Sequence, residues 1–533
     1  MRRFSSYGPP NPGIHYYAPR KELIERAYTH LMGENPTEGG HYITVWAPRQ
    51  TGKSWSMREI LFQLRKNTQF DVLAIPLEYL KDKKNVGEII DALSKKIGEG
   101  LGKRFSGTKN LDLFQDIFKK GTLDKPLILI LDEFDALREE AINALVSVFR
   151  NIYGIRRLEI DKPTEDKTYL LHGVALIGVR SVLGIEQEKG SPFNVQRSLH
   201  IPNLTYDEVH TMFKWYEKES GQAVETAVID ALYRETQGQP GLTCWFGELL
   251  TEGFENRTVD RNKPITLRDF EIAYAAATYV LPNNNILNII SKANKKPLKE
   301  FVLQMFQTDE KITFRFDNKS INELYMNGVV DKEVVDDTNY YVKFPSPFVQ
   351  KRLFNFFCDE LFSYMGRLTD PFVNLDNVIT DKELNIRGIM GLYREYLRNN
   401  REWLFKSAPR RTDMRIFEAV FHFNLYSYLN EFLKTPGGNV FPEFPTGNGK
   451  IDLVVKYGNF TYGIELKSYT NERNYKEALE QTAKYGKQLG LPEIFLVFFI
   501  EYIDDDNRGK VEKEYRSKET GVTVKPIVIE TGT

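Results

Sequence analysis

A chain of 533 residues has room for roughly three or four domains of about 100–200 residues each. Its 41% hydrophobic, 13% aromatic and 27% charged residues are the balance of a globular protein with several buried cores, and exclude a disordered or fibrous chain. A net charge of −1 excludes a global positive field for nucleic acid, so any such contact must come from local patches.

Two cysteines, Cys244 and Cys358, stand far apart and form no metal-binding or disulfide pattern. The first residues, MRRFSSYGPPNPG, carry two arginines but no apolar stretch of a secretory signal. No apolar run reaches the roughly 18 residues of a membrane helix, so a cytoplasmic protein with no membrane partner is expected.

In chain order, a helix is predicted from Lys21 to about Leu31, followed by a strand, YITVWA, a loop and the helix SWSMREILFQLRK. DVLAIPLEYL reads as a second buried strand, EIIDALSKKIGEGL as a helix, PLILILDEFDAL as a third strand, 141–153 as a helix and GVALIGVRSV as a fourth strand. That alternation predicts an α/β fold with a parallel sheet between helices. Helices alone follow SPFNVQRSLHIPNLT. Around 300–355 the pattern is helix, turn, β-wing and helix, and 356–410 reads as helical. From about 411 a separate unit holds a long helix, FEAVFHFNLYSYLNEFL, the hairpin KIDLVVKYGNFTYGIELKSY, a second helix and the strand EIFLVFFIEYI.

Two motifs carry the chemistry of the first region. Ala47-Pro48-Arg49-Gln50-Thr51-Gly52-Lys53-Ser54 fits the phosphate-binding loop GxxxxGK[ST] except that Ala47 stands in place of glycine. Between a strand and a helix, such a loop points backbone N–H groups and a helix N-terminus at an anion. Lys53 is expected on the β- and γ-phosphates of ATP and Ser54 on magnesium. Ala47 is tolerable if its φ is negative, since only positive φ demands glycine. The strand LILILDEFD ends in Asp132, expected to hold magnesium, and Glu133, expected to activate water. The alternative for 132–135 is an acidic helix start.

The segments VWAPRQTGKSW, LILILDEFDAL, ALIGVRSV, SPFNVQ and GQPGLTCWFGELL resemble the AAA-like, STAND-related P-loop ATPases of bacteria and archaea over about residues 1–255. The resemblance implies a sensor role for Arg180 and a helical lid whose GxP turn contains Pro240. It supplies no confident arginine finger. Arg150, Arg156 and Arg157 are candidates only in a face-to-tail assembly, and self-association is left open. NELYMNGVVDKEVVDDTNYYVKF resembles the winged-helix segment that follows the lid in STAND-type ATPases; its acidic wing favours packing over DNA binding.

In the last region Asp452, Glu465 and Lys467 fall on a hairpin turned by Gly458-Asn459. Strand alternation places Glu465 and Lys467 on one face and Ile464 and Leu466 toward the core. Asp452, Glu465 and the Leu466 carbonyl suit a hard divalent cation, magnesium or manganese, with Lys467 beside a scissile phosphate. This arrangement resembles the PD-(D/E)XK nucleases over about residues 411–505. The resemblance adds Glu418 on the preceding helix and a QxxxY pair, Gln481 and Tyr485, on the following one; Ile451 replaces the family's proline. The strip 397–415, LRNNREWLFKSAPRRTDMR, interleaves basic residues with Trp403 and Phe405 and could track a nucleic-acid backbone or serve only as a linker.

The expected organisation is a P-loop ATPase core at 1–202, a helical lid at 203–255, a winged-helix-like domain at 256–355, a helical linker at 356–410 and a nuclease-like domain at 411–533. The expected function is ATP hydrolysis coupled to a metal-dependent nuclease acting on DNA in preference to RNA. The other reading is a nucleotide-switched signalling or scaffold ATPase whose nuclease-like domain only binds nucleic acid or a partner.

Overall fold

The computed structural model describes all residues except 9–10, 36–38, 106, 179–195, 308–310, 412–413, 444–451, 469–471 and 533; at Gln196, Gln307, Glu443, Asp452 and Ser468 it describes the backbone. The chain divides into two compact units, Met1–Asn285 with Tyr325–Gly328, and Ile286–Leu324 with Val329–Thr533. Among the described residues no helix is long and apolar enough to cross a membrane.

The first unit is built on five strands, β1 (Tyr42–Trp46), β2 (Asp71–Pro76), β3 (Leu127–Asp132), β4 (Leu171–Gly178) and β5 (Gln196–His200), all parallel, in the order β2-β3-β4-β1-β5. β3 and β4 are continuously apolar because both faces are covered. Leu127, Leu129 and Leu131 enter a core with the helices Val86–Leu101 and Glu139–Leu158. Ile128 and Ile130 enter a second core with Lys21–Met32 and Lys53–Leu64. β2 departs from the expected fully buried strand: it lies at the sheet edge, and Ala74 and Pro76 are exposed. An edge is where a strand proline loses no ladder bond. After β5 come the helices Tyr206–Ser220, Thr226–Thr236, Pro240–Thr251 and Leu267–Tyr279. The first is fixed by a capping box between Thr205 and Glu208.

The expected wing is present as β6 (Asp331–Val334) against β7 (Tyr340–Lys343), between the helices Lys319–Met326 and Pro347–Phe362. The expectation of helix throughout 356–410 is corrected: no helix occupies 363–385, and helix resumes at Ile386–Leu404. Proline at 371 and two Asx turns, at Asp370 and Asn374, oppose helix in that stretch.

The C-terminal sheet has six strands, β8 (Asn439–Glu443), β9 (Asp452–Tyr457), β10 (Phe460–Ser468), β11 (Glu493–Ile500), β12 (Tyr515–Arg516) and β13 (Thr523–Glu530), in the order β12-β13-β11-β10-β9-β8. β10, β11 and β13 run parallel, whereas β8, β9 and β12 pair antiparallel to their neighbours. The predicted turn between β9 and β10 is present, with Gly458 at φ 54°. The helices Glu418–Lys434 and Glu472–Gln488 flank this sheet on opposite faces.

Candidate functional site

β1 leads directly into residues 47–52, and Gly52 caps the following helix in the left-handed region at φ 88°. Ala47 is fully buried and is not among the residues of positive φ, so its methyl fits the loop without strain. Thr51 Oγ1 donates to the Pro48 carbonyl at 2.8 Å. Lys53 Nζ folds back on the loop and donates to the carbonyls of Ala47, at 2.8 Å, and Pro48, at 2.6 Å. Ser54 is exposed in the first helical turn. Replacing Ala47 by glycine is expected to change ATP turnover only modestly. It should lower stability by about 1 kcal/mol, through loss of a buried methyl and gain of backbone freedom. Turnover and thermal unfolding check this; a large gain in turnover would mean the alanine holds the loop in a poor conformation.

At the C-terminal end of β3, Asp132 is half-buried and accepts the Glu133 N–H at 3.0 Å. Burial, reinforced by Glu78, Asp132 and Asp135, pushes the Glu133 carboxyl up. That is the direction a water-activating base requires. Burial also pulls the Lys53 ammonium down to about 8, against the attraction of Asp135, Asp132 and Glu133. Asp135 is not among the residues that sequence reasoning selects, although its place three residues after Asp132 in DEFD is a usable signal. It lies against the end of β4, where a Cβ on Gly178 would come within 2.5 Å of its Oδ1. Glycine at 178 is what admits the carboxylate.

Among the predicted arginines, Arg156 is corrected. It is 4% exposed and bonds Thr164 Oγ1 at 2.7 Å and the Tyr169 carbonyl, so it is tied inside its own unit. Arg150 and Arg157 are exposed. Arg180 and the SPFN stretch lie outside the described residues.

In the C-terminal sheet Glu465 and Lys467 are 0% and 6% exposed. The expectation that only Ile464 and Leu466 face a core is therefore corrected, because the helix Glu472–Gln488 covers the other face too. Lys467 Nζ lies 3.6 Å from Glu465 Oε1 and donates to Gln481 Oε1 at 3.2 Å. Asp452 is the register partner of Glu465 in the pairing of β9 with β10. Tyr485 sits in the apolar core formed by that helix with Leu496 and Phe498, and Gln481 of the QxxxY pair accepts from the lysine. Glu418 opens the helix Glu418–Lys434 and is half-buried. Phe421 and His422 of that helix meet Phe499, on the face opposite Phe498 and Glu465. Among the described residues no hydrogen bond or ion pair joins Glu418 to the Glu465, Lys467 and Gln481 cluster. Nor do three His, Cys, Asp or Glu side chains converge among them, the Asp452 side chain not being included.

Residues 37–160 match the family model of an AAA domain. The first unit carries an AAA-type ATPase domain. Three solved structures are similar to the chain. A Walker-type ATPase of Pyrococcus abyssi is 15% identical, with a TM-score of 0.41 over 66% of this chain and 99% of its own. The Orc1 protein of Aeropyrum pernix, solved in complex with DNA, is 16% identical, with a TM-score of 0.32 over 63% and 92%. The RuvB Holliday junction branch migration motor of Thermotoga maritima is 11% identical, with a TM-score of 0.33 over 61% and 92%. No curated protein matches the sequence.

The phosphate loop of the AAA domain is gripped from the turn that opens the helix Pro240–Thr251. Gly241 N–H donates to the Gln50 carbonyl at 3.0 Å, and Gln239 Nε2 donates to the carbonyls of Arg49 and Gln50 at 3.2 and 3.3 Å. Pro240 stands at the first position of that helix, where its missing N–H costs nothing. Five described non-glycine residues have positive φ, and three of them, Gln50, Glu133 and Gln237, belong to the loop, the acidic strand end and the turn before the helix Pro240–Thr251. Backbone strain held by its surroundings gathers at working sites. Gly241→Ala is expected to displace the loop, because its Cβ would lie 2.5 Å from Gln50 Oε1 and 2.6 Å from Gln50 Cβ. Nucleotide affinity should fall several-fold in a binding titration. An unchanged affinity would mean the turn does not set the loop.

Proposed function

We propose that ATP turnover by the AAA domain is coupled to a metal-dependent phosphodiesterase in the C-terminal unit, acting on nucleic acid and on DNA in preference to RNA. In the AAA domain Lys53 exchanges its two loop carbonyls for β- and γ-phosphate oxygens, and the N–H groups at the start of its helix receive the phosphates. Glu133, with its carboxyl pushed up, accepts a proton from the attacking water. Ser54, exposed in the first turn, and Asp132, at the strand end, are the residues that would hold magnesium. When bound, that ion neutralises phosphate charge. Arg180 is assigned the sensor role and Pro240 the lid turn.

The observation that carries the nuclease half is the Lys467 ammonium, buried between Glu465 and Gln481, with Glu465 in strand register with Asp452. A lysine placed so deep with a carboxylate and an amide is expensive for a fold that only binds, since buried ions must be desolvated. Asp452, Glu465 and the Leu466 carbonyl would hold a divalent cation, whose chemistry is to polarise the phosphate and supply hydroxide near neutral pH. Lys467 stabilises charge growing on the phosphoryl oxygens, and Gln481 positions Lys467. Incubating the purified protein with plasmid, linear and single-stranded DNA and with RNA, each with and without ATP and with magnesium or manganese, tests the reading. Metal-dependent cleavage supports it; intact substrates under every condition leave the switched-scaffold reading.

A further inference from the structure

The C-terminal unit holds a cleft of about 720 Å³ that none of the chemistry above uses. One wall is a face of the helix Ile386–Leu404 bearing Arg394, Arg398 and Arg401. The other is the C-terminal ends of β11 and β13 with the segments that follow them, including Glu501, Arg508 and Glu530. Residues 394, 398 and 401 recur at four and three positions, so one helical stripe presents all three guanidinium groups.

Several of these charges already have partners. Arg394 pairs with Glu512 at 2.9 Å, Arg508 with Glu530 at 2.6 Å, and Glu501 with Arg415 at 3.1 Å. Arg398 is exposed and has no ion-pair partner among the described residues. Arg401 donates to the Gly532 carbonyl at 2.6 Å and makes no ion pair among the described residues, with Glu501 attracting its charge and Arg410 repelling it. Glu395 lies on the rim as the one lining carboxylate with no such partner among the described residues. Beneath the cleft the Nε atoms of Arg394 and Arg508 are buried with no acceptor. Burial, with Arg508 and Arg387 nearby, disfavours charge on Arg394 despite Glu512. A bound anion would relieve that crowding.

The cleft opens at the edge of the sheet that also carries Lys467. Lys467 is level with Phe498 on β11 and so with Val528 on β13, and the cleft begins just beyond, at Glu501 and Glu530. Lys467 faces the helix Glu472–Gln488, whereas the cleft is lined by Phe421 of the helix on the other face, so the sheet lies between the two places.

We infer that the cleft between the helix Ile386–Leu404 and the C-terminal edge of β11 and β13 binds the phosphodiester backbone of a nucleic acid through Arg398 and Arg401. This inference rests on the proposed nuclease reading for its role but not for its test. In EDTA, where no metal-dependent cutting occurs, binding of fluorescent single- and double-stranded DNA oligonucleotides is followed by anisotropy across a salt series. The Arg398→Glu, Arg401→Glu double variant should bind about tenfold more weakly at 100 mM salt. Its slope of log affinity against log salt should also be shallower by about 2, one for each phosphate that is no longer neutralised. Arg398→Glu alone, at an exposed helix position, should give about half of that slope change and guards against misfolding caused by removing the Arg401 bond to Gly532. Arg398→Lys should retain most affinity. Wild-type affinity and slope in both glutamate variants would overturn the inference, even if the wild-type protein cuts DNA. Loss of binding with a wild-type protein that never cuts would sustain the cleft and overturn the nuclease reading.

Discussion

Replacing Lys53 by alanine is expected to abolish ATP hydrolysis and to weaken nucleotide binding by tenfold to a hundredfold. A charge-assisted contact of this kind is worth about 1.5–3 kcal/mol, and each 1.4 kcal/mol is a factor of about ten. Glu133→Gln should behave differently. It leaves the phosphate contacts in place and removes the proton acceptor, so binding should persist while hydrolysis falls by about 10²–10⁴. The pH dependence separates the two roles further. Burial holds the free Lys53 ammonium down at about 8. Bound phosphates favour the charged form and raise that value, so the complex keeps a proton that the free site loses above pH 8. Affinity should therefore be level below about pH 7 and fall about tenfold per pH unit above 8, until the pKa of the complex is reached. Nucleotide titrations from pH 6.5 to 9.5 should show this slope in the wild type and in Glu133→Gln, and none in Lys53→Ala. Equal loss of binding in both variants would mean the roles are assigned wrongly.

The parts of the molecule that are readable in the sequence are those fixed by local pattern. β3 can be recognised because a strand covered on both faces needs apolar residues at every position, and Leu127 to Leu131 supply them in alternation to two cores. The Gly458-Asn459 turn is readable because its backbone asks for glycine. What stays hidden depends on residues remote in the chain. The grip of Gln239 and Gly241 on residues 49 and 50 spans about 190 positions, and no local pattern encodes it. Phe405, which in sequence belongs to a basic strip with Trp403, is 2% exposed, whereas Trp403 is 43% exposed. A strip in sequence becomes two faces once helix ends and a core forms. β13 escapes a reading of the sequence because Pro526 breaks the strand pattern in TVKPIVIE. β12 pairs only with Thr523 and Val524, so Pro526 has β11 on one side and an open edge on the other, where its missing N–H loses no bond. Burial of Glu465 and Lys467 is equally illegible, since polar alternation reads as a wet face until the helix Glu472–Gln488 is placed over it.

That burial shapes the second large effect. Glu465→Gln is expected to abolish nucleic-acid cleavage, because it removes an anionic ligand oxygen from the site, and also to destabilise the C-terminal unit. The substitution removes the carboxylate charge beside the buried Lys467 ammonium, and breaking one side of a buried pair costs about 3–5 kcal/mol. A loss of activity in that variant is therefore ambiguous by itself. The double variant Glu465→Gln, Lys467→Met removes both charges at nearly constant volume, which is often neutral or stabilising. It should recover most of the thermal stability while remaining inactive. Lys467→Met alone strands a buried carboxylate and should also lose stability, yet retain divalent-metal binding, since the ligand oxygens stay in place. ATP hydrolysis measured without nucleic acid should be unchanged in all three, because the AAA domain belongs to a separate compact unit. Differential unfolding, cleavage and ATPase assays on the same preparations decide the matter. If the double variant recovers both stability and cleavage, the buried pair is structural and the phosphodiesterase reading fails; if stability returns without cleavage, the chemistry resides in Glu465 and Lys467.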